Sequence, residues 1–93
     1  MIRSFADEST EDVYKGHCPK GFPAKILRAA RRKLAMVDAA TLLDDLKAPP
    51  GNRLHPLTGD RKGQHAIRVN DQYRICFKWR DGDAHDVEIT DYH

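Results

Sequence analysis

The chain has 93 residues, a formal net charge of +2 and a hydrophobic fraction of 40%. That length supports one domain (residues 1–93) with one core, and the apolar content suffices to fold it without disulfide staples. The only two cysteines, Cys18 and Cys76, form no CxxC pair, the opening Met1-Ile2-Arg3-Ser4-Phe5 is too short and polar for a signal peptide, and no apolar run approaches membrane length, so a cytoplasmic protein without membrane contact is expected.

Ile2–Phe5 reads as a short opening strand. Ser9 is a candidate helix N-cap, with Asp12 three residues on in the place of a capping-box acid, and the brief helix stops at Gly16. His17–Gly21 is a loop. Pro23 suits the first turn of a second helix, in which Ile26, Leu27, Ala30, Leu34 and Val37 recur at helical spacing. The opposite, polar face carries Lys25, Arg28, Arg31, Arg32 and Lys33. Asp38 would cap a third helix over Ala39–Lys47, with Leu42, Leu43 and Leu46 as its apolar side, ended by Ala48-Pro49-Pro50-Gly51-Asn52.

After Gly51 the period changes to two. Gln64–Val69 and Tyr73–Trp79 alternate, separated by an Asn70-Asp71 turn. Asp81-Gly82 is a hairpin signal, and Asp86–Tyr92 is the last strand, with Val87 and Ile89 inward. A strand, two to three helices and then a three-strand meander predict an α+β fold, with the helices on one face of a mainly antiparallel sheet. The other face would be uncovered, carrying Arg68, Arg74, Lys78 and, by parity, Tyr92.

Charge is segregated along the chain. Lys47–Arg80 holds eight Lys/Arg against two acids, whereas Asp81–His93 holds five acids and no Lys or Arg. A local basic field favours a polyanionic partner, nucleic acid or acidic protein, although a solvated surface has the same composition.

Three features could carry chemistry. The ending Asp91-Tyr92-His93 places a carboxylate, a phenol and an imidazole together on the last strand. Imidazole gives and takes protons near neutrality, and a carboxylate can orient it; a polar tail that merely contains a histidine is the plain alternative. The glycine-punctuated stretch Asn52–Gly63 holds His55, Arg53, Arg61 and Lys62 and could cup a phosphate, though it lacks the GxxxxGK[ST] spacing and could equally be a connecting loop. Arg74, in mid-strand, can grip two phosphate oxygens or pair with a neighbouring acid. The five histidines and two cysteines match no zinc pattern, so no metal or other cofactor is expected. Cys76 sits among apolar strand residues and is expected to pack rather than react.

Several stretches together resemble the HigB toxins of the wider RelE/ParE group of type II toxin–antitoxin systems. They are Lys33–Thr41, Pro50-Gly51-Asn52-Arg53-Leu54-His55-Pro56-Leu57, Gly59-Asp60-Arg61 with Gly63, Ile67–Ile75 and the ending Asp91-Tyr92-His93. The resemblance implies a RelE-like fold and a metal-independent mRNA interferase acting in the ribosomal 30S A site. There the ribose 2′-OH attacks the adjacent phosphorus, leaving a 2′,3′-cyclic phosphate and a 5′-OH. Carried over by position, His93 and Asp91 act in or beside acid–base steps, Tyr92 positions the substrate or shares the proton transfer, Arg74 neutralises charge on the phosphate, and His55 contacts RNA or assists proton transfer. Arg61, Lys62, Arg68, Gln72 and Lys78 would bind RNA. The implied partner is a HigA-like helix-turn-helix antitoxin, through which alone the pair would reach operator DNA; Arg28, Arg31 and Arg32 are a candidate docking surface for it or for ribosomal RNA. Relatives can carry lysine where this chain has Thr58, which points to a slower enzyme. A non-nuclease toxin of the ParE-like, gyrase-inhibiting kind shares the fold, and a gyrase binder has no need of His55 and Asp91-Tyr92-His93.

Overall fold

A computed structural model describes residues 1–91. Helices α1 (Glu8–Lys15) and α2 (Leu27–Ala39) lie on one face of a four-stranded antiparallel sheet, β1 (His55–Pro56), β2 (His65–Arg68), β3 (Tyr73–Arg80) and β4 (Asp83–Asp91), whose spatial order follows the sequence. The α+β architecture thus follows the sequence reading. The extra strand is β1, whose two residues fall in the segment read as a loop: the His55–Ala66 and Pro56–His65 pairs add it to the edge of β2.

The opening segment does not make a full strand. Ile2 and Phe5 form isolated parallel bridges to Ala84 and Val87 of β4, with Arg3 N–H donating to the Ala84 carbonyl at 2.8 Å and Ala6 N–H to that of Val87 at 2.9 Å. The interruption coincides with a bulge: β3 advances two residues from Cys76 to Lys78 while β4 retreats three, from Glu88 to His85. Asp86, inside the bulge, has φ 53° and donates its N–H to Ser4 Oγ at 2.8 Å. The segment still covers the β4 edge, which would otherwise present unpaired backbone groups.

The cap of α1 is Asp7, not Ser9. Its Oδ1 accepts from Thr10 N–H at 2.8 Å, and Glu8 and Glu11 complement the helix dipole. Thr10 is buried and its Oγ1 accepts from Ile89 N–H at 2.9 Å; this anchorage to β4 fixes where the helix begins. Asp7→Ala should therefore lower stability by about 1 kcal/mol, whereas Ser9→Ala should leave the urea midpoint unchanged. Equal shifts for the two variants would count against this cap. Gly16 ends α1 as expected, at φ 98°, with its own N–H and that of His17 returning to Val13 and Asp12 carbonyls.

On α2, Ala30, Leu34 and Val37 are buried as the spacing predicts. Lys33 departs from the expected polar face: it is only 6% exposed and sits in the interior. The third helix does not form as an α-helix. α2 runs on through Asp38, whose carboxylate accepts from Ile2 N–H at 2.9 Å and from the Tyr14 hydroxyl at 3.2 Å and so caps nothing downstream. Only Leu43–Lys47 coil, as a 3₁₀ turn, headed by Asp45, which accepts from Thr41 and Leu42 N–H at 3.1 and 3.0 Å. Three residues per turn align Leu43 with Leu46 and turn Leu42 out, 65% exposed.

The main core joins Val13, Ala30, Leu34 and Val37 of the helices to Ile67, Ile75, Phe77, Ala84 and Val87 of the sheet. The Asn70 side chain closes the β2–β3 turn by accepting from Gln72 and Tyr73 N–H at 2.9 and 2.7 Å. Asp81 and Gly82 both take positive φ, 55° and 80°, as a tight two-residue hairpin requires.

Candidate functional site

The face away from the helices is only partly open. Leu57, Ala66 and Cys76 form a second small buried cluster there, beneath the 57–64 loop. That loop is fastened by Leu57 N–H to the Gln64 carbonyl at 2.8 Å and by an Arg61–Glu88 ion pair at 3.1 Å. Cys76 is wholly buried and packs, as expected.

Beyond this cover the face is cationic. The register sets Arg68 of β2 directly opposite Arg74 of β3, with Thr90 of β4 next in the row. The neighbouring row is His55, Ala66, Cys76 and Glu88. Like charges opposite each other destabilise a sheet, so each guanidinium needs an anchor. Arg68 donates to the Asn70 carbonyl at 3.1 Å and pairs with Asp71. Arg74 Nε donates to Thr90 Oγ1 at 3.4 Å. Arg53, His55, Arg68 and Asp71 line a cleft of about 410 Å³, whose one carboxylate, Asp71, is almost fully solvent-exposed.

His55 Nδ1 lies 2.7 Å from the Arg53 carbonyl. Carbonyl oxygens only accept, so Nδ1 carries the proton. Arg53 itself has φ 49°, in the left-handed region. Lys33 comes close from behind: burial first, then the charges of Arg32 and Arg68, hold its ammonium below the usual lysine range.

The other expected residues are distributed as follows. Arg61 is occupied with Glu88 and with Gln64 Oε1, and the Glu88 bond holds its guanidinium even more firmly protonated. Lys62 is exposed at the end of the Gly59–Arg61 turn. Lys78 lies on the cationic face two residues beyond Cys76 and pairs with Asp86 at 3.3 Å. Gln72, in the β2–β3 turn, donates to the Asp91 carboxylate at 2.9 Å. Asp91 pairs with Tyr73, and so shares the parity of Ile89 rather than that of Arg74 and Thr90; it is exposed at the end of β4. Tyr92 and His93 lie outside the described residues. The structure thus brings His55 and Arg68 together in one cleft and sets Arg74 across from Arg68 on the same face, whereas Arg61, Lys78 and Gln72 are engaged with Glu88, Asp86 and Asp91.

Sequence reasoning does not single out Arg53, Lys33 or Asn52 as functional. Arg53 was legible only as one more cation in the loop, and the helical spacing of Lys33 with its charged neighbours pointed to solvent. Among the described residues no group of three or more His, Cys, Asp or Glu is disposed to hold a metal ion, and no helix is long and apolar enough to cross a membrane.

Comparison with known proteins gives this geometry a context. The chain is 45% identical to Toxin HigB-1 of Vibrio cholerae serotype O1 over 87 residues, 90% of either chain. It is 33% identical over 93 residues to Endoribonuclease HigB of Proteus vulgaris, covering all of both. The fold is similar to that of a YoeB-YefM complex from Staphylococcus aureus, with a TM-score of 0.62 at 15% identity over 100% of this chain and 98% of that one. It is also similar to a mutant of YafQ from E. coli, with a TM-score of 0.61 at 16% identity over 99% and 94% of the two chains. A family model described as the RelE-like toxin of type II toxin-antitoxin system HigB matches residues 3–93, and with these relatives it shows that the chain belongs to the HigB-like toxin family.

Proposed function

We propose that the chain is a ribosome-dependent mRNA endoribonuclease, restrained in the cytoplasm by a HigA-like helix-turn-helix antitoxin that carries the pair to operator DNA. The observation that carries this reading is the cross-strand pair Arg68–Arg74, of which Arg68 lines an open cleft together with His55 and Arg53. A sheet face that sets two guanidiniums opposite each other gains stability when a phosphate lies between them. The name of the Proteus vulgaris relative, which matches end to end, supports an RNA-cleaving activity.

The reaction is attack by a ribose 2′-OH on the adjacent phosphorus. The 2′-O–P bond forms, the P–O5′ bond breaks, one proton leaves the nucleophile and one reaches the departing 5′-oxygen. The products are a 2′,3′-cyclic phosphate and a 5′-OH. Arg74 stabilises the charge that grows on the phosphoryl oxygens. His55 and His93 are the proton-transfer groups, with Asp91 and Tyr92 alongside His93, and Arg61, Lys62, Arg68, Gln72 and Lys78 hold the RNA strand. No step needs a metal.

Primer extension on a reporter mRNA in a translating extract tests this. Wild-type protein should cut within codons, only while translation proceeds, and Arg74→Ala and His93→Ala should abolish the cuts. Absence of cuts with wild-type protein that still arrests growth would overturn the nuclease reading in favour of a ParE-like gyrase inhibitor. Cuts in naked RNA would remove the ribosome from the scheme.

A further inference from the structure

Lys33 is a buried amine on a helix whose other basic residues, Arg28, Arg31 and Arg32, are exposed. Among the described residues its partner is not a carboxylate but the neutral side chain of Asn52, whose Oδ1 accepts from Nζ. A buried ammonium without a counter-ion is costly, so the hydrogen bond has to achieve something a hydrocarbon would not. An ammonium can only donate, and so it settles which end of the Asn52 amide faces it. The Asn52 Nδ2 is thereby directed to the Leu46 and Ala48 carbonyls, at 3.2 and 3.3 Å. Asn52 is itself fully buried. The two side chains clasp α2 to the 46–52 segment at the point where the chain turns into the cleft.

The next residue shows what the clasp holds. Arg53 takes φ 49° and ψ 49°, a left-handed conformation that non-glycine residues rarely adopt unless their surroundings impose it. In that conformation its carbonyl receives His55 Nδ1–H at 2.7 Å. A neutral histidine in water prefers the opposite tautomer, with the proton on Nε2. The loop reverses that preference and makes Nε2 the nitrogen with the lone pair.

We propose that Lys33 and Asn52 are positioning residues that, through the Arg53 carbonyl, hold His55 as the Nδ1–H tautomer and so leave Nε2 to exchange a proton or hydrogen bond with RNA in the cleft. This rests on the reading that His55 serves the cleavage reaction.

Nitrogen-15 NMR of the histidine rings in the purified full chain tests the tautomer separately from activity. Wild-type His55 should show the Nδ1–H pattern; an Nε2–H pattern overturns the proposal without any variant. Two substitutions then break the clasp at different points. Lys33→Met removes the donor and keeps the buried length. Asn52→Asp keeps an acceptor for Lys33 and the shape, but loses the donor to Leu46 and Ala48. Each should move His55 toward Nε2–H and lower kcat for cleavage by about ten-fold or more with little change in KM, a part of the roughly 10²–10⁴-fold that proton-transfer groups supply. Lys33→Arg, which keeps a donor and a charge, should retain the wild-type tautomer. Folded variants that keep the Nδ1–H pattern overturn the proposal. Variants that shift the tautomer yet cleave at the wild-type rate leave the clasp standing and remove His55 from the reaction.

Discussion

His55→Ala is expected to lower the rate of mRNA cleavage by about 10²–10⁴-fold, the range a general acid or base contributes, while leaving the melting temperature close to that of the wild type. The second half of this expectation follows from placement. His55 is half-buried in a two-residue edge strand, lines the cleft and belongs to neither apolar cluster. His55→Asn separates two roles for the ring: an amide can still donate to the Arg53 carbonyl, but it cannot titrate. If the imidazole moves a proton, the asparagine variant is as slow as the alanine variant. If it only contacts RNA, asparagine recovers much of the rate and raises KM instead. Single-turnover cleavage at saturating and subsaturating RNA substrate distinguishes the two.

Phe77→Ala should have the largest effect on stability, about 3–5 kcal/mol. Phe77 is wholly buried on the helix-facing side of β3, and its ring meets Trp79 edge-on at 6.4 Å. It also lies where the β3–β4 register shifts, between Cys76 and Lys78, so removing the ring leaves a cavity beside the bulge. For a domain whose total stability is of the order of 5–15 kcal/mol, such a loss brings the chain close to unfolding at 37 °C. The melting temperature should fall by roughly 12–40 °C, given about 4–8 °C per kcal/mol for a domain of this size. Leu42→Ala is the control: spacing puts Leu42 on an apolar side, but the residue is mostly exposed, and its truncation should move the midpoint little. A large loss for Leu42→Ala with a small one for Phe77→Ala would contradict this core.

Elements whose signal is local are legible in the residues themselves. The buried positions of α2 recur at helical spacing, β2 to β4 alternate with a period of two, and Asp81-Gly82 and Asn70-Asp71 are turns built from side chains and φ angles within a few residues. Those turns fix the β2–β3–β4 register, so alternation alone places Arg68 and Arg74 on one face. The stretches Pro50–Leu57 and Ile67–Ile75 likewise marked the family.

Features that depend on partners distant in the chain emerge only when the chain folds. Asp7 rather than Ser9 caps α1 because Thr10 is held by Ile89, 79 residues away. Asp38 stays within α2 because Ile2 N–H, 36 residues earlier, reaches its carboxylate. Lys33 lies inside because Asn52, 19 residues on, offers an acceptor there, against every expectation from its charged neighbours. The two-residue β1 exists only because β2 supplies its hydrogen bonds, and that pairing brings His55 beside Arg68. Periodicity specifies which side of an element is apolar; it carries no record of which distant group will meet the other side, and the cleft is made of such meetings.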